Sequence, residues 1–171
     1  MQLRGIFPNQ SRLPRAAGFY FGTLLIFAAA APLALRPLPV NPSPDSGKAI
    51  RSQMFLPASV ESTLRRACYD CHSDETAWPW YSRVPLAGDA VRDDVRRARA
   101  AMNFSEWNDT AGKTVRRAAG TLMAGCADLR TGRMPVKQYV WMHPEARVTP
   151  SEINQFCQWT ESLTRAARQP K

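Results

Sequence analysis

Cys68, Tyr69, Asp70, Cys71 and His72 form a C-x-x-C-H run, and its spacing suits one chemistry. On a helix, two cysteines three apart lie on nearly one face, so both thiols can reach the two vinyl groups of one porphyrin. Each S–H adds across a vinyl and leaves a thioether. The next residue, His72, is then carried under the iron as its proximal ligand. The run predicts one covalently attached haem c. Two rival readings stand beside it. A C-x-x-C pair alone is also a thiol–disulfide site, and four cysteines with two histidines offer zinc ligands. Thiol-exchange pairs follow a strand and open a helix, whereas this pair falls late in a helical stripe of Val60, Leu64, Ala67/Cys68 and Cys71. The usual zinc sites need a second C-x-x-C or C-x-x-H pair, which the sequence lacks.

A six-coordinate iron needs a second axial ligand. Met134, set between Gly132-Arg133 and Pro135, falls in a loop that can present its thioether opposite His72. His143, followed by Pro144, is the alternative. Met102 and Met123 sit on helical stripes and read as core, and Met54 precedes the first helix. Met/His ligation raises the reduction potential relative to bis-His. Arg130 and Arg133 would raise it further by opposing the ferric charge. Trp78, Trp80 and Tyr81 need a large apolar partner, which a haem supplies, and Arg83 can pair with a propionate. The second ring nitrogen of His72 is expected on the carbonyl of Pro79 or Pro85.

These groups must be held by helices. The first ends in the motif, with Ser59 as its N-cap. A second is expected over 86–102, with Ala90, Val91, Val95, Ala98 and Met102 inward. A third is expected over 110–125, with Val115, Ala118, Ala119, Leu122 and Met123 inward. The last opens at Thr149-Pro150-Ser151-Glu152, a capping box with proline at N1, and buries Ile153, Phe156, Cys157, Thr160 and Leu163. No segment reads as a strand. The fold class is all-α: a small cytochrome c-like helical domain enclosing one haem, its first and last helices packed together. Cys126 and Cys157 are either a disulfide or two buried thiols.

The 171 residues are 44% hydrophobic and 22% charged, enough apolar content for a core and too much for a disordered chain. Two histidines exclude a three-histidine zinc centre. The net charge of +9 does not point to nucleic acid. Arg92, Asp93, Asp94, Arg96 and Arg97 alternate in sign, as on a solvated helix face. Residues 1–15 carry Arg4, Arg12 and Arg15. Residues 16–35 are uncharged and long enough for a transmembrane anchor or a signal peptide. The positive-inside rule leaves the arginines in the cytoplasm and the rest outside it, in a bacterial periplasm or at the cell exterior. Residues 36–48, with four prolines, read as a stiff linker. The haem-binding domain is expected over 49–166, with a tail at 167–171.

The run CYDCHSDETAWPWYSRVPL, then NFSEW at Asn103–Trp107, then GRMPVKQYVWMHPEARVTPSE resembles the bacterial haem-binding domain family of small C-x-x-C-H proteins. The resemblance covers roughly residues 49–166 and looks like a divergent monohaem cytochrome c. It implies haem c on Cys68, Cys71 and His72, with Met134 carried over less directly. The function expected is single-electron transfer outside the cytoplasmic membrane, by a carrier and not an enzyme. Its partners would be redox proteins and, through the N-terminal helix, the inner membrane. A haem-based sensor or peroxidase-like enzyme with an open sixth position is the alternative, and a non-haem thiol or zinc module the third.

Overall fold

The computed structural model describes residues 36–110 and 114–168. Its regular elements are α1 (Ile50–Gln53), α2 (Ala58–Ala67), α3 (Tyr69–His72), a 3-10 turn (Trp80–Arg83), α4 (Ala87–Ala101), α5 (Trp107–Thr110), α6 (Val115–Arg130), α7 (Lys137–Met142), a second 3-10 turn (Pro144–Ala146) and α8 (Pro150–Arg168). All are helical, and no strand occurs among the described residues. The expected span 16–35 and Arg4, Arg12 and Arg15 lie outside the described residues. Of the helices described, none is long and apolar enough to cross a membrane.

The core lies between α6 and α8. Ala118, Leu122, Cys126 and Leu129 face Phe156, Cys157 and Trp159. Burying such side chains contributes about 1.5–3 kcal/mol for each large one. Cys126 and Cys157 are joined, with Cα atoms 5.2 Å apart, so the pairing left open by the sequence is a disulfide. The third helix runs later than expected, starting at Val115 and continuing past Cys126 to Arg130. Residues 107–110 form the separate α5. The last helix starts as expected. Thr149 N–H donates to Glu152 Oε2 at 2.7 Å, and Glu152 N–H donates to Thr149 Oγ1 at 3.3 Å, a reciprocal capping box. Arg66 on α2 bonds the Glu152 carboxylate and, at 2.9 Å, the Arg147 carbonyl, so α2 is tied to the start of α8.

Two helix ends differ from expectation. Ser59 is not the N-cap of α2. Pro57 holds that place, and no side chain caps it. The helix also does not run through the motif. Cys68 leaves helical geometry at φ −129°, ψ −33°, and α3 starts afresh beyond it. Ala90, expected inward, is exposed on α4. The α4 arginines make short-range pairs with Asp89, Asp93 and Asp94 along the helix surface.

From Leu38 onward the chain forms one compact unit. The Pro-rich stretch therefore does more than space. Asn41 donates to the Thr76 carbonyl at 2.8 Å and accepts from Trp78 Nε1 at 2.9 Å. The Lys48 carbonyl accepts from Trp107 N–H at 3.1 Å.

Candidate haem site

The five residues of the motif form a tight turn. Cys71 N–H and His72 N–H both return to the Cys68 carbonyl, at 3.2 and 2.9 Å. Both cysteines are free thiols, each half-buried. Burial, with the neighbouring Cys71 adding to it, pushes the Cys68 thiol up to about 12. Burial, with Asp70 and Asp94 adding to it, pushes Cys71 up to about 11. Both are therefore protonated at neutral pH.

His72 Nδ1 lies 3.0 Å from the Met102 carbonyl oxygen. The carbonyl has no proton to give, so Nδ1 carries the hydrogen and Nε2 keeps its lone pair. Burial lowers the histidine below its ordinary pKa, and the backbone bonds to Met102 and Ala98 only partly offset this. His72 is thus a neutral imidazole oriented through Nδ1, with the Nε2 lone pair the one that would ligate a metal. The expected partners, the carbonyls of Pro79 and Pro85, do not serve. Met102 follows α4 directly, and its extended backbone turns its carbonyl to His72.

The segment behind His72 is fixed by a buried polar network. Phe104 N–H donates to the His72 carbonyl at 2.7 Å. Asn103 donates to Asp74 at 3.0 Å and accepts from Ser105 N–H at 2.9 Å. Ser105 Oγ accepts from Asp74 N–H at 3.0 Å. Arg99 donates to the Ser73 carbonyl at 2.8 Å, to Thr76 Oγ1 at 2.9 Å and to Asn41 at 3.1 Å, and stands 3.5 Å from Asp74. Phe104 stacks on Tyr69 with centroids 5.1 Å apart and on Trp107 at 6.1 Å. The NFSEW run is therefore the cradle of the motif. Asp74, Arg99 and Asn103 were missed as supports because their partners lie far away in sequence.

Asp70, inside the motif, accepts from Tyr139 Oη at 2.7 Å and from Ala77 N–H at 3.0 Å, fixing α7 beside α3. Tyr81 Oη lies 2.9 Å from His143 Nε2, and Glu145 lies 3.2 Å from His143 Nδ1. Both ring nitrogens of His143 are thus engaged. The polar tips of Trp78 and Tyr81 go to Asn41 and His143.

The loop after α6 starts with a Schellman motif. Arg133 N–H reaches the Asp128 carbonyl at 2.9 Å and Gly132 N–H the Leu129 carbonyl at 3.2 Å. Gly132 sits at φ +67°, a conformation that costs a side-chain-bearing residue about 1–2 kcal/mol. Met134 follows, with a cis bond to Pro135, and its side chain is 40% exposed. Its N–H bonds the carbonyl of Asp128 at 3.3 Å, and the negative charge of Asp128 is felt by His72. Met54 and Met102 pack on the core, and Met123 Sδ accepts from Thr160 at 3.3 Å.

This donor set fits a haem. The motif offers two unpaired thiols and an imidazole with an oriented Nδ1. Trp80, Leu86, Met134, Val136, Trp141 and Met142 leave large apolar side chains exposed. The segments of Trp80 and Trp141 are brought together by the Tyr81–His143 bond. Leu86 even holds φ +68°, at the centre of a γ-turn closed by Ala87 N–H on the Pro85 carbonyl at 2.9 Å. Ser82 Oγ is buried, and no hydrogen-bond partner for it occurs among the described residues. No cluster of three or more His, Cys, Asp and Glu suited to a metal occurs among the described residues, which counts against the zinc reading.

No curated protein and no solved structure matches the chain. A family model described as a haem-binding domain matches residues 33–162, well over half of the chain, and the protein belongs to that haem-binding domain family.

Proposed function

We propose that the protein holds one haem covalently through Cys68 and Cys71, ligated by His72 and Met134, and passes single electrons outside the cytoplasmic membrane. The observation that carries the reading is the state of His72: neutral, oriented through Nδ1 on the Met102 carbonyl, and adjoining two unpaired thiols. The bound group supplies one-electron chemistry at its iron. The chain supplies the rest. The Met102 carbonyl holds the imidazole in one tautomer and makes Nε2 a better donor. The Asn103–Asp74–Arg99 network keeps the motif from shifting when the iron charge changes. Such rigidity suits a carrier, which forms and breaks no bonds in substrate.

Two features support the sixth ligand and the compartment. Met134 is presented from a loop and has no core role, unlike Met54, Met102 and Met123. The Cys126–Cys157 disulfide suits an oxidising compartment, which agrees with export by residues 16–35. Redox proteins are the partners this function needs.

The test is the mature protein made in a host with haem-attachment machinery. The reading expects one haem mass per chain that survives denaturation, and a pyridine haemochrome spectrum of the two-thioether type. Cys68→Ala and Cys71→Ala should each lose that spectrum. Rapid CO binding by the unaltered protein would favour the sensor or peroxidase-like alternative, and absence of haem mass would return the thiol reading.

A further inference from the structure

His143 is held more tightly than a surface histidine needs to be. Its Nε2 meets Tyr81 Oη at 2.9 Å, its Nδ1 meets Glu145 Oε1 at 3.2 Å, and its ring stacks on Tyr139 with centroids 4.5 Å apart. Its side chain remains 21% exposed, so a proton can enter from water. Tyr139 continues to Asp70 inside the motif at 2.7 Å. The ring is thus one contact removed from the C-x-x-C-H turn.

We propose that His143 is a proton-binding site linked to the oxidation state of the haem iron, so that the protein takes up a proton with its electron. The proposal rests on the haem reading above. In the balanced step, a one-electron donor protein reduces ferric to ferrous iron, and His143 takes a proton from solvent.

The surrounding groups allow this. From the first 3-10 turn, Tyr81 faces Nε2. It donates to neutral imidazole and, by rotating its hydroxyl, accepts from imidazolium. From the second, the Glu145 carboxylate faces Nδ1 and pairs with either form. Tyr139 of α7 and Asp70 and Cys71 of α3 complete the ring of titratable groups. Arg66 of α2 donates to the Glu145 carbonyl. Burial raises both tyrosines, which therefore stay phenols while the imidazole changes charge. Among these groups the histidine is the one that ordinarily titrates between about pH 5 and 8. Ferric haem carries one more positive charge than ferrous, so reduction favours the imidazolium. By linkage, the potential falls as pH rises through the titration of His143.

The experiment uses the haem-loaded protein, verified by mass. The His143 ring signals are followed by NMR in both oxidation states, and the potential is measured from about pH 5 to 9. His143 should bind its proton at least about twofold more tightly in the ferrous protein. The potential should slope downward in the same interval, and His143→Gln should flatten that slope. Tyr81→Phe, which removes one clamp, should move the interval. Equal proton affinity in the two states overturns the proposal, and so does a slope that persists in His143→Gln. If His143→Gln does not fold, the two-state NMR comparison in the unaltered protein decides alone. A chain without haem mass overturns the haem reading, whereas a loaded chain with a redox-independent His143 overturns only this one.

Discussion

Replacing Asn103 with alanine tests whether the polar network behind His72 holds the site. The side chain donates to the Asp74 carboxylate at 3.0 Å and accepts from Ser105 N–H at 2.9 Å. Asp74 and Ser105 are 4% and 2% exposed, so water cannot take over either bond. A hydrogen bond to a charged group contributes about 1.5–3 kcal/mol, and a buried amide left unpaired costs about 1–3 kcal/mol. Arg99 Nε, 3.5 Å from Asp74, recovers part of the first term. The net loss is about 3 kcal/mol, on the order of 10 °C in melting temperature for a unit of this size. Because Met102 adjoins Asn103, the variant should also loosen the carbonyl that orients His72 and let the ring move. Denaturant melts of the loaded protein measure the first effect, and the NMR signals of the His72 ring the second. A loss below about 1 kcal/mol together with unchanged ring signals would refute the reasoning.

Two glycines should respond with opposite signs. A Cβ on Gly88 would stand 2.2 Å from the Ser82 carbonyl oxygen, while one on Gly120 would meet nothing within 4 Å. Gly88→Ala should lose at least about 2 kcal/mol and displace the turn bearing Tyr81, and Gly120→Ala should gain up to about 1 kcal/mol, both read from denaturant midpoints. The disulfide closes a span of 31 residues, so replacing both Cys126 and Cys157 with alanine should cost about 3–4 kcal/mol. Non-reducing peptide mapping should recover the pair linked. Met134→Ala should abolish the weak far-red band of Met-ligated ferric haem and open the iron to CO, whereas Met142→Ala should do neither. Glu152 is held below the usual carboxylate range, first by the Thr149 N–H and also by Arg66. A depressed folded pKa stabilises above the unfolded value and loses this as pH falls through the folded one. Glu152→Gln should therefore destabilise at pH 7 by about 1 kcal/mol, and the difference should shrink as pH falls from about 4 through the depressed folded value.

What the sequence disclosed follows the range of the interactions. The C-x-x-C-H turn and the Thr149–Glu152 capping box are local, written within five residues, and both were legible. The all-helical class followed from the spacing of residues such as Leu122 and Phe156 on their stripes. The partner of His72 was not legible, because the Met102 carbonyl is a backbone atom 30 residues away. Any residue there offers the same acceptor, so side-chain type gives no signal. NFSEW could be noticed as a motif, but its role needed the distances to Asp74, His72 and Tyr69. The packing of Asn41 was not legible for a related reason. The four prolines of 36–48 read as a stiff linker, while the bonds of Asn41 to Thr76, Trp78 and Arg99 depend on chains brought together only by folding. The break at Cys68 escaped notice because the apolar stripe continues across it.

The surroundings of the two cysteines favour the proposed haem attachment over thiol exchange. A disulfide exchanger keeps its attacking cysteine near or below neutral pKa by placing it at a helix N-terminus or beside a cation. Here the buried environment does the opposite. With Cys68 at about 12 and Cys71 at about 11, the thiolate fraction at pH 7 is on the order of 10⁻⁵ and 10⁻⁴. Such sulfurs are poor nucleophiles, since attack on a disulfide requires the thiolate. Thioether sulfur has no proton to lose and prefers an apolar setting, so the same burial that disables an exchanger suits a sulfur bonded for good to a porphyrin. His72 is disposed consistently. Burial keeps it uncharged, and the Met102 carbonyl fixes which nitrogen keeps its lone pair. Cys126 and Cys157 form a disulfide while Cys68 and Cys71 do not. On the proposed reading, an oxidising compartment would join the first pair, and thioether bonds would keep the second out of a disulfide.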